Sequence, residues 1–262
     1  MNLKPRIDEA AMVVENNIKT LVIADLHLGI EAVLRQKGVN IGSQTDKLLD
    51  IVTLCVEETK PDAIVLLGDI KHAVPEISYR DRKEVPVFLA ALAEYAPVYL
   101  AKGNHDSYLG MLLPEVLEGA RKPQHEVYLK STRGFLLDGV GYTHGHTWPS
   151  PELFSAKYIL IGHNHPRIRL ASSQSNYARL KNVWIRAKCD YNAVKVHYPA
   201  ISSWNDPCVI LMPAFNELCG GVTFNAPELK LLGPIASKLI RREDMEVYLL
   251  DGTYIGKVCD SE

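Results

Sequence analysis

The sequence has no long apolar run. Its longest stretch without Asp, Glu, Lys or Arg covers residues 139–151, thirteen residues rich in Gly and His. A helix needs about 20 apolar residues to cross a bilayer, so no membrane-spanning helix and no membrane partner are expected. Residues 1–17 (MNLKPRIDEAAMVVENN) carry acids where a signal peptide needs an apolar core. Cysteine is scarce: Cys55, Cys189, Cys208, Cys219 and Cys259 form no C-x-x-C pair and are odd in number. They read as reduced, mostly buried residues of a cytoplasmic protein. Neither sign of charge dominates, with 29 Lys+Arg against 31 Asp+Glu, so net charge points to no class of partner. No internal repeat, low-complexity segment or Gly/Ser linker divides the chain. Walker and dinucleotide-type glycine loops are missing too, since Gly139 and Gly141 lie in a hairpin signal with the wrong spacing. What is present is a chain of 262 residues, 47% hydrophobic and 23% charged. That suffices for a full-sized core, and one domain over residues 1–262 is expected.

The first half alternates strand and helix signals. Residues 20–24 (TLVIA), 63–67 (AIVLL) and 98–101 (VYLA) are short runs apolar on both faces, as strands covered on both sides require. Residues 46–58 place Leu49, Val52, Leu54 and Val56 near one helical face, with Ser43 or Thr45 as the cap. Residues 85–95 form a second amphipathic helix. This β-α-β-α-β order argues for a parallel or mixed sheet. The second half reads as largely antiparallel: a hairpin over 135–143 around Asp138-Gly139, strands at 158–161, 183–187 and 209–212, a helix at 235–242, and a closing hairpin of 246–250 and 254–258.

Each early strand runs into a polar motif. The first meets Asp25-Leu26-His27, the second Gly68-Asp69, the third Gly103-Asn104-His105-Asp106. Later strands end in His144-Gly145-His146 and Gly162-His163-Asn164-His165, so six of nine histidines fall in these motifs. Loops at the carboxyl ends of strands in an open α/β sheet converge on one crevice. Asp, Asn and His together, without Cys, select moderately hard divalent metals such as Mn, Fe, Zn, Co or Ni. Alone, D-x-H or G-D occurs by chance, G-N-H-D is good turn chemistry, and a loop histidine is more often solvated than ligating. The ordered conjunction of all five outweighs those readings.

This ordered set resembles the calcineurin-like metallophosphoesterase superfamily. The local wording DLHLG, LGDIKH, THGHTWP and PAFNELCGG is similar to the prokaryotic ICC-type phosphoesterases. The resemblance implies an αββα sandwich of two mixed sheets flanked by helices, with the metal site at the carboxyl ends of strands. It implies one divalent ion held by Asp25, His27 and His165, a second held by Asn104, His144 and His163, and Asp69 bridging them. Manganese is the expected metal, with Fe, Zn, Ni and Co as alternatives. A hydroxide bridging the metals would attack phosphorus in line, and His105 would protonate the departing oxygen. Some relatives carry an acid after G-D-x-x that orients the catalytic histidine. This chain has His72 there, leaving Asp106, Glu76 or a backbone carbonyl to orient His105. His146 either lines the site or makes a structural hydrogen bond.

Substrate contacts are assigned to Arg35, His72, His146, Arg179 and Lys181. Arg35 sits four residues after Glu31 in a short helix near the metals, where it is either an ion-pair partner or a phosphate contact. Phe215, Asn216 and Gly220-Gly221 read as a tight turn. Residues 153–189 hold seven Lys/Arg and no Asp or Glu, on a chain otherwise richer in acids. Such a run either discourages strand pairing or steers a polyanion, with Tyr177 and Trp184 as stacking candidates or core residues. The expected activity is a phosphodiesterase or nuclease acting on a phosphoester, single-stranded nucleic acid being the favoured substrate. The alternatives are a phosphomonoesterase acting on nucleotides or other small esters, and an inactive scaffold.

Overall fold

The apolar runs of the first half become adjacent parallel strands. The computed structural model describes residues 1–6, 9–117, 122–172 and 175–258, and their side chains except those of 171–172 and 175–178. The first sheet runs in chain order: β1 (Asn2–Pro5), β2 (Ala11–Glu15), β3 (Lys19–Ile23), β4 (Ala63–Leu66), β5 (Val98–Ala101) and β6 (Val127–Lys130). Strands β3 to β6 are parallel, and β1 and β2 add antiparallel at one edge. The second sheet holds β7 (Phe135–Leu137), β8 (Val140–Thr143), β9 (Tyr158–Ile161), β11 (Ser175–Lys188), β12 (Cys208–Leu211), β13 (Glu246–Leu249) and β14 (Tyr254–Lys257). Its order is β14-β13-β11-β12-β9-β8-β7, with β10 (Arg167–Ser172) pairing β11 alone. Most of its ladders are antiparallel, yet β8, β9 and β12, the strands behind the later motifs, are mutually parallel. Their carboxyl ends therefore point one way.

Alternation along the central strands builds the layers. Leu21, Ile23, Ile64, Leu66, Val98 and Leu100 pack outward on helices α2 (Thr45–Thr59) and α3 (Tyr79–Leu92). Their neighbours Val22, Ala24, Val65, Leu67 and Ala101 face inward, against Val140, Tyr142, Leu160, Trp184, Ile210 and Met212 of the second sheet. The far side of that sheet buries Ile159, Ile161, Val183, Ile185, Val209 and Leu211 under Val194 and Leu239. The result is the αββα sandwich of two mixed sheets. Among the described residues no helix is long and apolar enough to cross a membrane.

Several elements differ from expectation. Leu54 of α2 is 52% exposed, and Leu48 and Cys55 are buried in its place. A stripe of Leu48, Val52, Cys55 and Val56 follows helical spacing more closely than one through Leu54. The N-cap of α2 is Gln44, not Ser43 or Thr45, and its side chain makes no capping bond, although the Thr45 N–H donates to the Ser43 hydroxyl at 3.3 Å. Helix α3 starts at Tyr79, not residue 85, because Ser78 and Asp81 close a reciprocal capping box. The helix expected at 235–242 stops at Leu239, since Ile240 turns extended and bridges to Cys189. The Asp138-Gly139 hairpin forms as expected, with both residues at positive φ (50° and 75°). Trp184 lies in the core, its Nε1 donating to the Leu250 carbonyl at 3.4 Å, and offers no face to a base. The Tyr177 side chain and Cys259 lie outside the described residues.

Candidate metal centre

Where β3, β4 and β9 end, the backbone breaks from extended geometry at the polar residues. Asp25 (φ 58°), His27 (43°), Asp69 (50°), His163 (70°) and His165 (42°) all adopt left-handed conformations. Such conformations cost of order 1–3 kcal/mol each and cluster where surrounding structure enforces them for function. The enforcement is visible in the hydrogen bonds. The His27 N–H donates to the Asp69 carbonyl at 2.7 Å, the Asp25 N–H to the Gly68 carbonyl at 3.3 Å, and the His163 N–H to the Asp25 carboxylate at 3.2 Å. Gly68, at φ +77°, turns against the His144 ring, and a Cβ there would lie 2.6 Å from it.

The break brings His27 into a cleft of about 440 Å³, lined also by Asp69, Asn104, His105, His163 and His165, with Asp25 buried behind His165. Asp25 and Asp69 are 0% and 2% exposed. Among the described residues neither has a Lys or Arg ion-pair partner; their counter-charges are imidazoles. His165 Nε2 lies 3.2 Å from Asp25, and His144 Nε2 lies 3.4 Å from Asp69. Burial opposes the Asp25 and Asp69 charges, but these imidazoles outweigh it and hold both carboxyls below their ordinary range. Burial likewise opposes charge on His144, yet the Asp69 hydrogen bond and charge lift it to about 9. His27 is driven down to about 3 by burial, and His146 and His163 to about 4 by burial and the His144 charge. His27 and His163 thus present the neutral ring that ligation requires. Burial opposes charge on His165 too, but the Asp25 charge lifts it, so His165 and His144 must each lose a proton to bind a metal.

Two buried carboxylates ringed by histidines form a cation site. Asp25, His27 and Asp69 place ligand atoms within 4.8 Å of one another, as do Asp69, His144 and His163, so Asp69 belongs to both groups. The buried Nε2 of His165 makes no hydrogen bond of acceptable geometry despite its nearness to Asp25. With the ring proton on Nδ1, the Nε2 lone pair facing a carboxylate is satisfied better by a cation than by protein. The remaining ring nitrogens point the right atoms inward. His144 Nδ1 donates to the Leu67 carbonyl at 2.8 Å and His165 Nδ1 to the Gly220 carbonyl at 2.8 Å, leaving each Nε2 for the site. Asn104 Oδ1 lies 3.0 Å from His144 Nε2. The donor set fits divalent metal.

His105 stands beside these groups, with ring centroids 4.7 Å from His27 and 5.2 Å from His72. Its Nδ1 donates to the His72 backbone carbonyl at 2.6 Å. Of the three orienting candidates, the carbonyl does the work. Glu76 instead offers its own carbonyl to Lys71. Asp106 does not line the cleft. Fully buried, it accepts N–H bonds from Ile70 and Gly103, both at 2.8 Å, and so ties the G-D and G-N-H-D loops together. Burial, with the Asp69 charge, lifts its carboxyl to about 6. The His72 ring lines the cleft, its Nδ1 3.2 Å from His27 Nδ1. His146 lies 5.1 Å from the His144 ring but does not line the cleft, and among the described residues its buried Nδ1 has no hydrogen-bond partner.

Other expected contacts lie elsewhere. Arg35 is exposed on helix α1 (Glu31–Gln36), outside the cleft lining; buried Glu31 pairs with Arg80 at 2.6 Å instead. Arg179 and Lys181 are exposed on the β10–β11 ribbon, which leads away from His165 and does not line the cleft. The turn at 216–222 is a turn and also a wall. Phe215 N–H reaches the Ala24 carbonyl at 2.9 Å, Asn216 donates to the Leu26 carbonyl at 2.8 Å, and Cys219, Gly220 and Gly221 line the cleft. Cys219 and Asn164 lie inside the PAFNELCGG and Gly162-His163-Asn164-His165 motifs, yet neither is assigned a role from sequence; the Asn164 side chain clamps Leu232 from both ends at 2.9 and 3.1 Å.

Comparison with known proteins finds a matching family model and similar solved structures. A crystal structure of the Pseudomonas putida nuclease MPE aligns over 95% of this chain and 98% of its own, at 18% identity and a TM-score of 0.49. The family model for calcineurin-like phosphoesterases matches residues 18–219, a span that contains all five motifs and the wall at Cys219. That family carries a dinuclear divalent metal site, which the buried Asp and His donors here are able to fill. With most of its length under that model, the chain belongs to the calcineurin-like phosphoesterase family and is a metal-dependent phosphoester hydrolase.

Proposed function

We propose that the protein is a phosphodiesterase acting on single-stranded nucleic acid in the cytoplasm, as one metallophosphoesterase domain. The observation that carries the substrate class is the β10–β11 ribbon, rooted next to His165 and bearing exposed Arg169, Arg179 and Lys181. Cations on a projecting ribbon fit a polymer longer than the cleft better than a small ester held inside it. Four described cysteines are buried free thiols, in keeping with a reducing compartment.

In this reading Asp25, His27 and His165 would hold one ion, Asn104, His144 and His163 the other, with Asp69 shared between them. Such ions, manganese being the proposed working metal with iron, zinc, nickel and cobalt also fitting, would supply Lewis acidity. The protein supplies the rest. Asp69 fixes the His105 backbone by accepting its N–H at 2.8 Å. The His72 carbonyl holds the Nδ1–H and turns Nε2 outward, and a ring protonated on both nitrogens would give its Nε2 proton to the leaving oxygen. Turnover of single-stranded DNA and RNA, cyclic nucleotides, mononucleotides and bis-p-nitrophenyl phosphate with added Mn tests the proposal. Polymer and diester cleavage abolished by chelator is expected. Efficient turnover of mononucleotides without polymer binding at low salt would replace it with a phosphomonoesterase.

A further inference from the structure

Resting on the metal positions assigned above, we propose that Cys219 is a sulfur donor to the ion held by Asp25, His27 and His165, which makes the two metal positions chemically unequal. Among the described residues Cys219 is the only cysteine whose sulfur groups with histidine nitrogens: Sγ, His27 and His165 offer ligand atoms all within 4.8 Å of one another. The residue is 3% exposed yet lines the cleft. In the thiol form its sulfur has only a 4.0 Å contact, to the Asp25 carbonyl.

The turn around it is built for placement. Asn216 ties the turn to Leu26, and its Oδ1 accepts the Leu218 N–H at 3.1 Å. Arg167 donates to the Cys219 carbonyl, and the Gly220 carbonyl accepts from His165 Nδ1. The backbone of His165 leaves no room for a Cβ at residue 221, which would meet its carbonyl oxygen at 2.1 Å. The same turn thus orients His165 and presents the sulfur beside it. Cys55, Cys189 and Cys208 share no such grouping. On metal binding the thiol proton leaves to solvent and the thiolate becomes the ligand. A sulfur ligand favours softer ions such as zinc, cobalt or iron at this position. The Asn104, His144 and His163 position carries no sulfur and remains suited to manganese.

The metal-stripped full-length protein, titrated with Co²⁺, tests this. Visible d–d bands report binding, and a near-ultraviolet thiolate-to-cobalt charge-transfer band reports sulfur. Both are expected in the parent. Cys219→Ser should keep the visible bands, lose the near-ultraviolet band, and lower affinity for Cd²⁺ relative to Mn²⁺ by about tenfold or more. X-ray absorption at the cobalt edge of the parent reads a sulfur neighbour without any variant, should Cys219→Ser fail to fold. Visible bands without sulfur in the parent would overturn the proposal and leave the metal centre standing. A charge-transfer band that survives Cys219→Ser would assign the sulfur to another cysteine and also overturn it. Failure to bind Co²⁺ at all would sink both the proposal and the metal centre.

Discussion

His105 is held by two bonds with different consequences. Its main-chain N–H belongs to Asp69, and its Nδ1 belongs to the His72 carbonyl. A ring that donates from Nδ1 to a carbonyl has only Nε2 left to meet a substrate. Replacing the ring should therefore spare the metals. His105→Ala is expected to bind both ions normally and to lose about 10²–10⁴-fold in rate on esters with poor leaving groups. It should lose much less on nitrophenyl esters, whose leaving oxygen needs no proton. Metal content by elemental analysis, beside rates on both ester classes, checks this; an emptied site would mean that His105 is a ligand. Gly103 makes the complementary case. A Cβ there would lie 2.2 Å from Asp69 Oδ1, so Gly103→Ala must displace the Asp69 carboxylate. It should cost about 1–3 kcal/mol in urea unfolding of the metal-free protein, and it should weaken metal binding. An unchanged binding isotherm would show that Asp69 need not stay where it is.

Elements were legible where one short segment carries the whole signal. Strands β4, β5 and β9 lie where their apolar runs predict, and the Asp138-Gly139 hairpin follows from two residues that tolerate positive φ. The five motifs are legible for the same reason, each being a contiguous word at a strand end. What is not legible is set by distant partners. Cys219 reaches the cleft because Phe215 and Asn216 bond to Ala24 and Leu26, nearly two hundred residues earlier. Asp106 is indistinguishable in sequence from a catalytic acid, and only its bonds to Ile70 and Gly103 show it to be a staple. Helix α2 shows how a face can be misjudged by one position while its neighbour settles the matter. Phe88 of α3 is fully buried against the same sheet, whereas Leu54 of α2 points to solvent. Phe88→Ala should cost about 3–5 kcal/mol, and Leu54→Ala should stay within about 0.5 kcal/mol. Equal losses in chemical denaturation would return Leu54 to the core.

At the scale of the whole molecule, charge is distributed unevenly. The seven cations of residues 153–189 face no acid within that segment, while the rest of the chain carries an acidic surplus. Lys157 lies 5.6 Å over the Tyr158 ring, and the structure divides the other six by partner. Arg186 pairs with Glu246 at 3.3 Å and Lys188 with Asp206 at 2.7 Å, both on the sheet proper. Arg167 is bound to the Asn182 side chain and the Cys219 carbonyl. Arg169, Arg179 and Lys181 remain exposed along the ribbon that projects past the sheet. If this ribbon tracks a nucleic-acid backbone, each contact should release counterions, with log affinity falling against log salt by about 0.7 per phosphate for a single strand. Neutralising Arg179 and Lys181 together should then flatten the slope by up to about 1.4, without changing cleavage of bis-p-nitrophenyl phosphate. Lys181 shares its surface cavity with Glu217 and Asp251, so Arg179→Gln alone should produce the larger part of the change. Fluorescence anisotropy on single-stranded DNA at several salt concentrations measures both slopes. Parallel slopes for parent and double variant would remove the ribbon from substrate binding and leave nucleic acid without its structural support.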